Sequence, residues 1–489
     1  MTSSLSIAGD RKGTDMSLST EDNDGVSRIE QESHRLTRKV ALKLGVSAAM
    51  AGAVTPTLLT SAARAAQTAE VTRERTVTLT LFHRWSDPVG LKMVTTLFNK
   101  FEKENPGIKI NNAYQPSSGD TYQPAVRTAF ASSTPPDLAT DITGAEEYNL
   151  VNAGVLRDLT DFYNAHIKQI ATPGAIVGSV LNGKVWGFSV GVYIGNLLWY
   201  NPDYLKKYGL DASSVHTWND WIRQLQIIKQ KGGTPIFFGA KDLWPGGHYM
   251  TDLVQRTMGN KQAVALYNRT LIPGSPSTPK WTDPPVIKAL QSLLDLKPYF
   301  QSGFLGETNA VAGSQFLSGQ SAYYEQGLWF SETILGQPPK FKPGAILFPS
   351  FPGYPGHQTD TTIGTNAWLV SKKSPNWDAI QKFLLFFYRP DNIAFLESKY
   401  IQILPYKFDP QKLDVDPRVT SVFHQFLAEQ NAAGANGTIL YNDSLVNVNI
   451  YTESIWQGSV GLLSGSLSPM QLATQLEKET VAWQKSHPK

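Results

Sequence analysis

A strand–helix–strand pattern beginning near residue 76 most constrains how this chain can fold. Residues 76–82 alternate between β-branched and apolar types, which predicts a β-strand. A helix is predicted from Asp87 to Glu104, because apolar residues recur there at helical spacing. Residues 105–107 read Asn-Pro-Gly and end this helix, and residues 108–110 predict a second strand. Such a unit implies a parallel sheet, and ligands of parallel sheets bind at the carboxyl ends of the strands.

Three residues at the end of the first predicted strand are candidates for a ligand site. His83, Arg84 and Trp85 follow the strand directly, and none of them is an obvious core residue. We expect at least one of them to face a ligand, because they lie at the carboxyl end of the strand. An ordinary surface position remains the alternative for Arg84.

The order of predicted elements indicates the fold class. Strands and helices alternate through the first three-quarters of the 489 residues, and helices dominate the end. This order is typical of an α/β fold with a helical C-terminal segment. The length allows two or more domains, each with a core of its own.

Composition and charge exclude several classes of protein. The net charge is only +3 and the basic residues are scattered, so we expect no nucleic-acid partner. The chain has no cysteine, which excludes disulfides, cysteine-ligated zinc and a lipid anchor on an N-terminal cysteine. Its eight histidines lack metal-ligand spacing, and no G-x-S-x-G, H-E-x-x-H or Walker A motif is present. We therefore expect no catalytic residue, no metal and no cofactor.

Residues 1–65 predict a disordered leader followed by an export signal. Residues 1–32 are polar, the segment from residue 37 is basic, and residues 44–59 are apolar but interrupted by a proline. Residues 63–65 read Ala-Arg-Ala, which is typical of a cleavage site. The signal resembles a twin-arginine signal in which Lys39 replaces the second arginine. We expect a periplasmic or extracellular mature protein, and a membrane anchor is the alternative.

A series of short motifs, each weak alone, resembles one family when the motifs are taken in order. The family is the family 1 extracellular solute-binding proteins of ABC importers, which includes maltose-binding protein. The motifs are FNKFEKENPGIKI at 98–110, PDL at 136–138, NAGVL at 152–156, GKVWG at 183–187, LWYNPDYL at 198–205, TWND at 217–220, GQSAY at 319–323 and AWLVS at 367–371.

The resemblance implies a two-lobed periplasmic-binding-protein-like fold with a hinge. Residues 74–189 and 362–414 would form the N-terminal lobe, and residues 190–361 and 415–489 the C-terminal lobe. A sugar would bind between the lobes, which close over it by hinge motion. The implied partners are a small-molecule sugar and the membrane permease subunits of an ABC importer, and we expect a monomer.

The resemblance and the predicted strand ends together indicate a set of ligand-binding residues. Aromatic faces would pack on sugar rings, and polar groups would bind the hydroxyls. Each of these residues also has an ordinary interpretation as a core or surface residue. The predicted set is His83, Arg84, Trp85, Asp141, Thr143, Glu146, Tyr193, Asp242, Trp244, Trp329, Asn366 and Trp456.

The most specific expectations concern three tryptophans and one acid. Trp329 matches a position where the family stacks an aromatic on the sugar, and Trp456 matches another. Asp242 and Trp244 belong to a segment where the family places an acid and an aromatic. Residues 243–249 read as a loop, in which Gly246 and Gly247 would let a ligand approach the backbone.

A secreted carbohydrate-active enzyme, either a glycoside hydrolase or a lyase, is the strongest alternative function. Hydrolysis of a glycosidic bond needs two carboxylates at a set separation. Asp242, Glu325 and Glu453 are acidic candidates, but no motif pairs them. A cell-wall adhesion module is a weaker alternative, because such modules tend to be repeats or all-β.

Overall fold

The structure is a computed structural model that describes residues 76–115, 121–400, 403–407, 413–434 and 437–488. These residues belong to one unit of the chain, Glu74–Lys489. The predicted leader and export signal, residues 1–65, lie outside the described residues. Among the described helices, none has both the length and the apolar character needed to cross a bilayer.

The strands of the described residues are numbered in chain order. They are β1 (Val77–His83), β2 (Ile108–Tyr114), β3 (Leu138–Ile142), β4 (Val180–Leu181), β5 (Lys184–Val185), β6 (Gly187–Ile194), β7 (Leu197–Tyr200), β8 (Ile236–Phe237), β9 (Tyr323–Glu325), β10 (Gly344–Leu347), β11 (Thr361–Val370) and β12 (Thr438–Leu440).

The longer α-helices are referred to by their bounds. They are Pro88–Glu104, Tyr122–Ala131, Ala145–Asn152, Pro202–Lys207, Trp218–Gln230, Trp244–Met258, Asn260–Tyr267, Pro284–Leu296, Asn309–Leu317, Phe330–Gly336, Trp377–Phe387, Pro390–Tyr400, Thr420–Ala433, Gln457–Ser464 and Pro469–Ser486. Short helical turns include Thr160–Phe162, Asn442–Leu445 and Val448–Ile450, and two π-helical segments are Tyr163–Ile167 and Tyr451–Trp456.

The predicted strand–helix–strand unit is confirmed. β1 and β2 pair in parallel, and the helix Pro88–Glu104 connects them. Asp87 caps this helix, because its side chain accepts hydrogen bonds from the backbone N–H groups of Val89 and Gly90. The helix ends at Asn105, whose backbone N–H donates to the carbonyl of Phe101. The alternation of strands and helices also confirms the α/β fold class.

The first sheet has the strand order β12-β11-β3-β1-β2, and β6 pairs with β11. β1 runs parallel to β2 and β3, whereas β11 runs antiparallel to β3 and β6. The carboxyl ends of β1 and β3 therefore lie at one edge, next to the middle of β11.

The second sheet has the strand order β10-β7-β9-β8. The chain passes to it from β6 through Gly195 and Asn196, and it returns through residues 348–360 between β10 and β11. The Asn196 side chain links these two passages: its Nδ2 donates to the carbonyl of Asp360 and its Oδ1 accepts from the N–H of Thr362, both at 2.9 Å.

Each sheet packs helices and loops against both of its faces. On the first sheet, Leu81 of β1 lies in one buried cluster and Phe82 packs against another. On the second sheet, Leu198 and Trp199 of β7 likewise belong to different clusters. Side chains of a strand point alternately to the two faces of its sheet, so neighbouring residues of one strand pack into different clusters.

The expected loop at residues 243–249 is wrong. Trp244 begins the helix Trp244–Met258, with Pro245 in its first turn, where a missing N–H costs nothing. The residue before it, Leu243, has a positive φ of 62°, which strains a residue with a Cβ by about 1–3 kcal/mol. This strained residue separates Asp242 from Trp244.

Candidate binding site

A cavity of about 820 Å³ lies between the first sheet and the elements that surround the second. The first-sheet side of its lining consists of Arg84, Ser86, Asp87, Pro88, Val89, Gln123, Ile142, Tyr193, Gly364, Thr365 and Asn366. The opposite side consists of Asp242, Trp244, His248, Asn309, Ala310, Ser314, Trp329, Glu332, Thr333, Gly336, Gln337, Tyr441, Asp443 and Trp456. The first group lies where the parallel strands end, which is the expected place for a ligand.

Five rings form an aromatic cluster in the wall of the cavity: Tyr193, Trp244, His248, Trp329 and Tyr441. The ring centroid of Trp329 lies within 6.3 Å of those of the other four. His248 stacks on Tyr441 with 3.9 Å between centroids. Trp244 and Trp329 are half-buried, so part of each indole remains open to the cavity.

Two glycines give the tryptophans room. A Cβ on Gly327 would lie 2.1 Å from the Trp329 ring, and a Cβ on Gly247 would lie 2.1 Å from the Trp456 ring. Gly246 is buried against Ser459. The expectation that Gly246 and Gly247 bring backbone to a ligand is therefore wrong, because both admit side chains of the C-terminal segment instead.

Polar groups of the second side are held by hydrogen bonds. An oxygen of Asp242 accepts from the backbone N–H of Asn309 at 2.9 Å, at the start of the helix Asn309–Leu317. The indole N–H of Trp329 donates to Gln326 at 2.7 Å, which fixes the plane of the ring. His248 Nε2 lies 3.5 Å from a carboxylate oxygen of Asp443.

Several residues that line the cavity have buried polar atoms without a hydrogen-bond partner. These atoms are Asn366 Oδ1, Tyr441 Oη, Trp456 Nε1 and His248 Nδ1. Burial also raises the pKa of the Tyr441 phenol, so this group stays an uncharged donor. The wall of the cavity thus retains unused hydrogen-bonding capacity.

Seven of the twelve predicted residues line the cavity, and the other five are buried and do not line it. The seven that line the cavity are Arg84, Tyr193, Asp242, Trp244, Trp329, Asn366 and Trp456. The five that are buried and do not line it are His83, Trp85, Asp141, Thr143 and Glu146.

Arg84 lines the cavity, as expected for at least one of the three residues after β1, but His83 and Trp85 are core residues, which their sequence position did not indicate. Side chains of a strand alternate between faces, so His83 and Trp85 follow Leu81 inward while Arg84 turns outward. His83 Nε2 lies 2.5 Å from Asn112 Oδ1, and burial lowers the pKa of the imidazole to about 4. His83 is therefore a neutral core residue at physiological pH.

The three predicted polar residues at and after the end of β3 are buried and do not line the cavity. Glu146 pairs with Arg127 at 2.6 Å and accepts a short hydrogen bond from the Tyr451 hydroxyl of the C-terminal segment. Burial, reinforced by the nearby Glu146 charge, raises the pKa of the Asp141 carboxyl well above its usual range. Thr143 packs against Gly178.

Sequence reasoning missed 18 of the 25 described residues that line the cavity. His248 is a lone histidine, which is usually structural, and Tyr441 and Asp443 follow β12 without a motif. Asn309 and Glu332 lie in the first turns of two helices, where polar residues are common for local reasons. Their common location was visible only once the chain was folded.

Comparison with known proteins gives a family match over most of the described chain. The family model described as bacterial extracellular solute-binding protein matches residues 92–394, more than half of the sequence. An uncharacterised ABC transporter extracellular-binding protein of Pyrococcus horikoshii is 26% identical over 276 residues, which cover 56% of this chain and 60% of the relative. The chain thus spans about 60% of the length of such relatives.

A second relative and a solved structure agree with this match. The multiple sugar-binding protein of Streptococcus mutans is 23% identical over 299 residues, 59% of this chain and 66% of the relative. A chitin oligosaccharide binding protein superposes with a TM-score of 0.72 at 22% identity, covering 84% of this chain and 99% of that structure. The likeness in structure confirms the predicted two-lobed fold.

Proposed function

Because the chain belongs to the bacterial extracellular solute-binding proteins, we propose that it binds a sugar or oligosaccharide in this cavity and delivers it to the permease of an ABC importer. The observation that carries the proposal is the cavity of about 820 Å³ with Trp244 and Trp329 partly open to it. The name of the Streptococcus mutans relative points to the same class of ligand.

The chemistry of the cavity wall suits a sugar. The C–H faces of a pyranose pack on indole rings, and carboxylates and amides bind its hydroxyls. Trp244 and Trp329 offer such faces, and Asp242 and Asn366 lie on opposite sides of the same cavity. A volume of about 820 Å³ is within the usual range for small-molecule pockets of 300–1,000 Å³ and accommodates more than one sugar ring.

The ligand would be enclosed by movement of two lobes. We assign residues 74–189 and 362–414 to one lobe and residues 190–361 and 415–489 to the other, except that residues 190–194 and 438–440 go with the first lobe, because β6 and β12 belong to the first sheet. The passages through Asn196 and residues 348–360 would act as the hinge, because few residues there need to change φ and ψ. Ligand binding shifts the population towards closure by its differential affinity for the two states.

Export is part of the proposal. A receptor of this family acts outside the cytoplasm, and residues 1–65 read as a signal that resembles the twin-arginine type. We propose that the protein is not anchored through a lipid on an N-terminal cysteine, because the sequence contains no cysteine. We propose a monomer in the periplasm or outside the cell, where the closed form meets the permease.

The alternative of a carbohydrate-active enzyme finds less support. Of its acidic candidates, Asp242 lines the cavity, Glu325 is buried and Glu453 is exposed away from the cavity. Burial raises the pKa of Glu325 well above its usual range, and neither of its carboxyl oxygens has a hydrogen-bond partner. Turnover of chromogenic glycosides by the purified protein would overturn the binding proposal.

A titration tests the proposal directly. The mature protein is titrated with monosaccharides, neutral trisaccharides, an amino acid and a polyamine, and tryptophan fluorescence and calorimetry are recorded. We expect a saturable response to at least one saccharide, because two cavity tryptophans change their surroundings on binding. A response to the amino acid or the polyamine alone would remove the sugar assignment.

A further inference from the structure

The charges around the cavity are unevenly distributed. Four carboxylates line it, namely Asp87, Asp242, Glu332 and Asp443. Arg84 is the one lysine or arginine among the described lining residues. Counting only aspartate, glutamate, lysine and arginine, the described lining carries a formal charge of −3, although the whole chain carries +3 on the same count.

Two of these carboxylates, those of Asp87 and Asp242, are held in place by uncharged hydrogen-bond donors. Asp87 caps the helix Pro88–Glu104 and Asp242 accepts the backbone N–H of Asn309. Neutral N–H donors hold these carboxylates but leave their charge in place. Neither Asp87 nor Asp242 has a salt-bridge partner among the described residues.

The single cation does not offset this charge at the opposite wall. The guanidinium of Arg84 lies 4.8 Å from the centre of the Tyr122 ring, and its Nε and Nη2 are buried. Arg84 belongs to the first-sheet side, whereas Asp242, Glu332 and Asp443 all belong to the side with the tryptophans. A sugar stacked on Trp244 or Trp329 would therefore lie nearest to the carboxylates.

Buried polar atoms without hydrogen-bond partners also belong to residues of the same wall. The Tyr441 hydroxyl, His248 Nδ1 and Trp456 Nε1 are without partners, and all three residues are more than nine-tenths buried. This observation is independent of the carboxylates. Two of these atoms, on His248 and Tyr441, lie near Asp443, so we expect polar groups of the ligand to bind there.

We infer that the site takes uncharged or basic saccharides and rejects saccharides that carry carboxylate, sulfate or phosphate groups. The inference rests on the proposed function and narrows its substrate class. An anionic group on the ligand would meet a net negative lining, and like charges repel more strongly beside a protein wall than in bulk water. A protonated amine would be attracted by the same carboxylates.

The test compares trisaccharides of different charge on the mature protein. Maltotriose, xylotriose and chitotriose are neutral, the chitosan trimer is basic, and trigalacturonate is acidic. Calorimetry at low salt should show trigalacturonate binding at least tenfold more weakly than the tightest neutral trimer. The chitosan trimer should bind at least as tightly as chitotriose, and added salt should weaken its binding.

A charge variant separates electrostatics from stereochemistry. In E332Q/D443N, we expect trigalacturonate to gain at least threefold in affinity relative to the tightest neutral trimer, and the chitosan trimer to lose at least threefold. The matched control D161N/D378N removes two exposed carboxylates that do not line the cavity and should leave both ratios within twofold.

The possible results distinguish failure of the charge inference from failure of the proposed function. If trigalacturonate binds the wild-type protein as tightly as the neutral trimers, the charge inference is overturned while sugar binding stands. If E332Q/D443N leaves the affinities of trigalacturonate and the chitosan trimer unchanged relative to the tightest neutral trimer, the carboxylates do not set the charge preference and the inference is also overturned. If neither these trisaccharides nor the monosaccharides of the titration above bind, the proposed function fails and the inference fails with it.

Discussion

Replacement of Trp329 tests the binding site at its centre. The ring lies within 6.3 Å of the other rings of the aromatic cluster, and its half-buried state leaves one part open to the cavity. A tryptophan buries about 150–250 Å² in a full contact. If a sugar covers roughly a third of that area, removal loses about 1.3–2 kcal/mol at ~25 cal/mol per Å².

The geometry of stacking adds about 0.5–1.5 kcal/mol to this figure. Trp329→Ala should therefore weaken binding of the tightest saccharide by about 2–3 kcal/mol, or roughly 30- to 150-fold in Kd. Calorimetry is the assay of choice, because the substitution removes one of the fluorophores. A thermal melt in the same buffer establishes that the variant is folded.

Two further variants make the result specific. Trp483→Ala removes a half-buried indole that stacks on His487 and does not line the cavity, so it should leave Kd within twofold. Trp329→Phe keeps an aromatic face but loses the hydrogen bond to Gln326, so it should cost only about 1 kcal/mol of binding free energy. A Kd for Trp329→Ala within twofold of wild type would refute the stacking argument.

Two other predictions concern packing and pH. Gly247→Ala places a Cβ 2.1 Å from the Trp456 ring, so it should lower the free energy of unfolding by about 1–3 kcal/mol and weaken ligand binding. The control Gly306→Ala has no atom closer than 3.7 Å to its Cβ and should change neither quantity. Equal denaturant midpoints for the two variants would contradict this prediction. Burial raises the pKa of Glu147 to about 8, so the unfolded chain loses this proton near pH 4.5 while the folded chain keeps it. The stability that this protonated carboxyl contributes is complete below pH 4.5 and is lost as pH rises to about 8. Glu147→Gln should therefore reduce the decline in melting temperature between these two pH values. The same dependence of melting temperature on pH in the variant and the wild type would contradict this prediction.

Local sequence patterns predict much of the fold because they depend on short-range geometry. The first strand–helix–strand unit follows from alternation, an N-cap at Asp87 and a stop at Asn105. The loop expected at residues 243–249 failed because Gly246 and Gly247 disfavour a helix in isolation. Packing against Trp456 and Ser459 overrides this weak propensity, since a bulkier side chain would not fit there.

The site could be predicted only where a residue follows a strand or matches a motif. Arg84, Asp242 and Trp329 satisfy one of these conditions, and all three line the cavity. Tyr441 and Asp443 reach it because β12 pairs with the start of β11, a contact between residues 361–363 and 438–440. A pairing across that sequence distance leaves no local pattern, so these residues could not be predicted.

Some of the buried polar atoms without partners belong to residues that line the cavity, and each carries an energetic cost. A buried donor or acceptor without a partner costs about 1–3 kcal/mol. Asn366, Tyr441 and Trp456 each carry such an atom, and all three line the cavity. Extensive cores on both faces of each sheet offset this cost, whereas a ligand with several hydroxyls would remove it. The deficit therefore favours the ligand-bound state over the empty one, and it favours a polyhydroxylated ligand over an apolar ligand of the same volume.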